Sequence, residues 1–254
     1  MKKFILAISV SLAVLISAPL FAAGPSVPVD KANNDLSDKE SLKRGFQTYL
    51  NYCLGCHQLQ YQRYNRTFTD LGIAESEGVE KYMYTGEKPG DHITNTMPKK
   101  DAARWFGNAP PDLTLMARLK SPDYIYTYLR TFYIDESRPF GVNNTTYKDV
   151  AMPHVLQDLQ GIQLKVIDKE AVAADHENGI LAQAEVSHLT PAMGGSLTVE
   201  EYDDVIRDLT NFIEYVGEPN KLERKALGKW VLAFLFILFI LAYLLKKEYW
   251  KDIH

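Results

Sequence analysis

The sequence predicts a mainly α protein: one exported helical domain with irregular loop insertions, followed by a single C-terminal transmembrane helix. Three observations predict it. Two amphipathic stretches with helical spacing, at 38–52 and 199–216, bracket a middle rich in turn residues. Two apolar runs, one at each end, have the layouts of an export signal and a membrane span. The only two cysteines of the 254 residues stand together in Cys53-Leu54-Gly55-Cys56-His57, where the first helical stretch ends.

In chain order, Lys2 and Lys3 precede an apolar run from Phe4 to Phe21, and the small residues Ala22, Ala23 and Gly24 follow. This is a signal peptide over residues 1–23. It contains no Arg, which points to a bacterial chain rather than an organelle presequence. The exported domain then spans 24–225 and has no cysteine outside the one pair, so no disulfide framework holds it. Ser37 and Glu40 read as a capping box opening a helix from about Asp38 to Tyr52. Leu42, Phe46, Tyr49, Leu50 and Cys53 fall on one face of it, and Gly45 permits a close helix crossing.

The middle carries helices at Leu113–Leu119 and Tyr124–Phe132, the second opened by Ser121, Pro122 and Asp123. Arg138–Asp149 reads as an irregular loop, Gln163–Ile167 as a short strand and Ala171–Ala184 as a surface helix. Thr198 and Glu201 cap a long helix whose apolar stripe runs from Val199 to Val216, and Gly217 and Pro219 end it. Trp230–Leu245 is uncharged but rises only ~24 Å as a helix against a hydrocarbon core of ~30 Å. Extending it gives an anchor over 226–246, with Lys229 snorkelling and interfacial Trp230 and Tyr243. Residues 247–254 are then a cytoplasmic tail, because the signal places the domain outside.

Cys-x-x-Cys-His is the attachment site of a c-type haem: two thiols for the vinyl groups, then a histidine for the iron. A structural zinc site needs four ligands, and no second pair exists. Lacking a second such motif, the chain carries one covalently bound haem c. A haem motif on an N-terminal helix, together with an amphipathic C-terminal helix, makes a class I cytochrome c-like haem domain.

His57 leaves one axial position. Met152 and Met97 both precede a proline, Met193 lies in a Gly-rich turn, and Met83 and Met116 sit in helical stretches. His92, His154, His176 and His188 are further candidates. The residues alone leave this choice open. Met/His ligation suits an electron carrier, whereas a vacant site suits a haem enzyme or gas sensor.

The chain resembles the cytochrome c1 family in its bacterial form. The resemblance rests on the Cys53–His57 motif, on Ala109-Pro110-Pro111-Asp112-Leu113 followed by Arg118, and on Asp123-Tyr124. It rests further on Ala151-Met152-Pro153, the 199–216 helix, and Glu218-Pro219 with Arg224-Lys225 leading into the anchor. It implies Met152 as the second iron ligand, Pro111 and Tyr124 in the haem pocket, and Arg118 near the haem propionates. It also implies a subunit of the quinol–cytochrome c oxidoreductase in the bacterial inner membrane, its haem domain in the periplasm. Electrons would come from a Rieske iron–sulfur protein beside a cytochrome b subunit and leave to a cytochrome c. The redox subunit is not an enzyme by itself. A membrane-anchored monohaem cytochrome of another respiratory branch or oxidase is the alternative.

The formal net charge is −4, with acidic groups at Glu75/Glu77/Glu80, Asp135/Glu136 and Asp168/Glu170/Asp175/Glu177. Such clusters steer a basic partner or are simply solvated, and the balance argues against nucleic-acid binding. Asn65, Asn143 and Asn144 open Asn-x-Thr sequons that a bacterial chain does not use.

Overall fold

The computed structural model describes residues 28–86, 88–167 and 187–251. The expected signal peptide 1–23, the expected helix 171–184 with His176, the last acidic cluster and the final tail residues lie outside them. In chain order the elements begin with α1 (Lys39–Tyr52), β1 (Leu59–Arg63), α2 (Tyr64–Leu71), α3 (Glu75–Tyr82), β2 (His92–Ile93) and α4 (Lys99–Phe106). Next come α5 (Met116–Lys120), α6 (Pro122–Arg130), β3 (Phe132–Ile134), β4 (Val142–Asn144) and α7 (Gln157–Gln160). The chain ends with β5 (Gly161–Ile162), β6 (Lys165–Ile167), β7 (Ser187–Leu189), β8 (Met193–Gly194), α8 (Val199–Gly217) and α9 (Lys221–Tyr249). Among the described residues the strands form four antiparallel pairs, β1–β2, β3–β4, β5–β8 and β6–β7.

The core is the crossing of α1 and α8. Both helices are capped, but α1 differs from the expectation: Asp38, not Ser37, is its N-cap, accepting from the Glu40 and Ser41 N–H groups. Ser37 instead donates to Asp35, because a carboxylate one residue nearer the helix competes better for its free N–H groups. Thr198 and Glu201 do form the reciprocal box on α8.

Gly45 lies at the crossing. A Cβ there would sit 2.0 Å from the Asp208 carbonyl oxygen, so only glycine lets the backbones meet. Around it Phe46 and Phe212 pack at 5.0 Å between ring centroids, and Tyr49 and Phe212 at 5.8 Å. All three side chains are fully buried, each worth about 1.5–3 kcal/mol of apolar burial. Arg44 grips Asp208 through Nε and Nη2, at 2.5 and 3.1 Å. Fully buried Asn211 donates to the Asp35 carbonyl at 2.7 Å and to Ser41 Oγ at 3.0 Å, and accepts from Asn34.

The middle is more regular than expected. Helices α2, α3 and α4 are short, and their few apolar positions gave too weak a period to read. The stretch 138–149 is not merely a loop, since β4 lies within it and pairs with β3. Asn143 and Asn144 are buried there, accepting backbone N–H groups from Asp149, Thr146 and Tyr147. The expected helix 124–132 is α6 and ends at Arg130, leaving Phe132 to begin β3. Helix α9 begins at Lys221 rather than 226, set off from α8 by Glu218, Pro219 and Asn220. It is long and apolar enough to cross a membrane, and none of it is buried against the domain.

Candidate functional site

The end of α1 delivers the motif. Backbone N–H groups of Cys56 and His57 return to the Cys53 carbonyl at 3.0 and 2.8 Å, closing a tight turn. Buried Tyr49 donates its hydroxyl to the His57 carbonyl at 2.7 Å, and Asn95 donates to the Leu54 carbonyl at 2.7 Å.

A second segment is laced to the first. The Leu113 N–H donates to the Gln58 carbonyl at 2.9 Å, and the Asp112 carboxylate accepts from the Gln60 and Thr114 N–H groups at 2.8 and 2.9 Å. This lacing sets the Pro111 carbonyl 2.8 Å from His57 Nδ1. A carbonyl only accepts, so Nδ1 carries the proton and Nε2 keeps its lone pair. Burial lowers the His57 pKa against the opposing pull of the Pro111 carbonyl and Asp112, which favours the neutral, ligating imidazole. Burial also pushes the Cys53 thiol up to about 12.

Both segments open on one cavity of about 330 Å³, within the range of cofactor sites. Its walls are Tyr52, Cys53, Cys56 and His57 from α1 and the motif, and Ala109 to Pro111 with Leu113 from the laced segment. Met116 and Lys120 come from α5, and Tyr124, Ile125, Tyr128 and Leu129 from α6. Leu209 and Ile213 come from α8, and Tyr147, Val150 to Pro153 and Val155 from the segment that follows β4. The Tyr128 hydroxyl donates to Met152 Sδ at 3.5 Å.

Of the site residues expected from the sequence, Cys53, Cys56, His57, Pro111, Tyr124 and Met152 line this cavity together. Arg118 does not. It lies on the other face of α5 from Met116 and Lys120, largely exposed and 3.7 Å from Glu218. The basic residue on the cavity is Lys120, whose Nζ lies 5.4 Å from the Tyr124 ring centroid. Two residues apart on a helix point to different faces, and the choice between Arg118 and Lys120 needed the direction of α5. Tyr128 was also missed, although it falls four residues after Tyr124 on the same helix face.

Among the described residues, the other axial candidates do not line the cavity, apart from Met116 on the α5 wall. Met97 lines a small neighbouring crevice that shares Cys56, Ala109 and Pro110 with the cavity, Met193 is exposed on β8, and Met83 packs on the core. His154 stacks on Phe132 at 4.7 Å, and His92 and His188 lie in β2 and β7. Two thiols, a neutral imidazole with a committed Nδ1–H, a thioether and an apolar wall on one cavity fit a covalently held haem.

A family model described as the Cytochrome C1 family matches residues 31–176 and 193–253. A cytochrome c1 of Allochromatium vinosum is 49% identical over 254 residues, covering 100% of both chains. A protein of Nitrosomonas europaea named ammonia monooxygenase gamma subunit is 43% identical over 256 residues, covering 100% of this chain and 99% of its own. The mitochondrial cytochrome c1 haem protein of Saccharomyces cerevisiae is 29% identical over 243 residues, covering 85% of this chain and 68% of its own.

Proposed function

The chain belongs to the cytochrome c1 family, and we infer on that premise that it is the electron-transfer subunit of a cytochrome bc1 complex. It accepts single electrons from a Rieske iron–sulfur protein and passes them to a cytochrome c, beside a cytochrome b subunit. The observation that carries this reading is the shared cavity of Cys53, Cys56, His57 and Met152.

When bound, one haem c supplies a one-electron iron couple. Cys53 and Cys56 would hold it covalently, and His57 Nε2 and the Met152 thioether would be its iron ligands. The Pro111 carbonyl fixes the His57 tautomer and raises its basicity. A thioether ligand raises the reduction potential, as suits a carrier late in a chain. With His57 and Met152 both serving as ligands, no position would remain for a substrate. Leu209, Ile213, Leu129 and Val155 keep water out, which raises the potential further. Lys120, which borders the cavity, would be available to a propionate, while Arg118 lies 3.7 Å from Glu218.

Residues 1–23 direct export, α9 anchors the chain once in the bacterial inner membrane, and the haem domain stands in the periplasm. The apolar, unburied face of α9 supports the anchor. The basic Lys246 and Lys247 at its far end suit the cytoplasmic side.

Purification of the full chain from its membranes tests the assignment. Cytochrome b and a Rieske protein are expected to accompany it, and recovery with an oxidase instead would refute it. Met152→Leu is expected to abolish the near-infrared sulfur-to-iron band of the ferric protein.

A further inference from the structure

We propose that Tyr128 is a positioning residue that holds the Met152 thioether and tunes it by hydrogen bonding. The proposal rests on Met152 being the axial ligand. The Tyr128 hydroxyl lies 3.5 Å from Met152 Sδ, and among the described residues that sulfur is its hydrogen-bond acceptor. A partly buried phenol seeks a partner, and on this largely apolar wall the one it meets is the Met152 sulfur. A thioether has two lone pairs, so accepting one O–H leaves the other for a metal.

The contact is built from both sides. The Tyr128 ring is held edge-on by Phe132 at 5.3 Å and parallel to Tyr124 at 6.3 Å. Its backbone carbonyl accepts from the Asn144 side-chain amide at 2.8 Å. The segment leading to Met152 hangs on the preceding residue of the same strand: Asn143 Oδ1 accepts the Asp149 N–H at 2.9 Å. Donor and ligand therefore hang on one pair of adjacent, buried asparagines, 3% and 1% exposed. Both anchors are made by the protein's own groups.

Two consequences follow from donation to the sulfur. It draws electron density from the thioether, which weakens donation to the oxidised iron more than to the reduced iron and raises the potential. It also restrains the ligand against displacement.

The experiment compares full-length, haem-loaded Tyr128→Phe with wild type and Met152→Leu. Tyr128→Phe keeps the ring, so haem content and melting temperature should hold. Its potential should fall by up to about tenfold in the ferrous-to-ferric preference, ~59 mV for one electron. The sulfur-to-iron band should shift, and imidazole should displace the ligand at a several-fold lower concentration. An unchanged potential, band and imidazole affinity in Tyr128→Phe, with the band lost in Met152→Leu, would overturn the role of Tyr128 alone. A band retained in Met152→Leu would overturn the ligand assignment and with it this proposal.

Discussion

Gly45→Ala tests the helix crossing on which the haem cavity is built. In an exposed helix this substitution would stabilise by about 1 kcal/mol. Here the new Cβ would meet the Asp208 carbonyl oxygen at 2.0 Å, its carbon at 2.6 Å and Phe212 Cβ at 2.8 Å. Two of these atoms are backbone and cannot rotate away. To reach even 3.0 Å from the oxygen, α1 and α8 must part by about 1 Å. That parting loosens Phe46 against Phe212 and lengthens the Arg44–Asp208 pair. Overpacking of this kind costs typically 1–3 kcal/mol, and a rigid obstacle lies at the upper end. After the propensity gain, a net loss of about 2 kcal/mol remains, or roughly 4–8 °C in Tm for a domain of this size. The assay is thermal melting of the full, haem-loaded chain in detergent, followed by far-ultraviolet circular dichroism and Soret absorbance. Gly228→Ala, in α9 where nothing lies within 4 Å of the new Cβ, should melt at or slightly above wild type. A Gly45→Ala protein that melts at or above wild type would refute the close-crossing argument.

Three further outcomes are expected. Asn211→Ala leaves the Asp35 carbonyl, Ser41 Oγ and the Asn34 amide without their buried partner and should cost about 3 kcal/mol, read as a lowered urea midpoint. Lys120→Gln should lower the reduction potential more than Arg118→Gln, since only Lys120 borders the cavity; equal shifts in a redox titration would contradict the placement. Burial disfavours charge on Asp123, yet the Lys31 ammonium and the Ala32 N–H hold its carboxyl below the usual range. A depressed folded pKa gives stability that is full above the unfolded value, about 3.9, and is lost as pH falls below it. Asp123→Asn should therefore show a shallower loss of Tm on acidification below about pH 4, and parallel profiles would count against the pairing.

Legibility in the sequence followed the range of the interaction. The motif, the Thr198–Glu201 box and the apolar run of α9 are patterns within a few neighbouring residues, and they read directly. The α1 cap was misassigned by one residue, because Ser37 and Asp38 both offer an acceptor and only the backbone shows which one faces the free N–H groups. Strand β4 was hidden because its partners for Asn143 and Asn144 are local turns that composition describes only as a loop.

Taken alone, the sequence determined the cofactor class, the two main helices and the family, since each depends on residue identity at short fixed spacings. Tertiary structure decided which side chains share the cavity. Met152 rather than Met97 or Met193 meets the motif's cavity, and Lys120 rather than Arg118 faces it. Tyr128 finds a sulfur 24 residues away in the chain. These choices depend on the crossing at Gly45 and on the lacing of Pro111 to His57. They arise from packing between distant segments, and no local period or spacing records the direction in which such segments face.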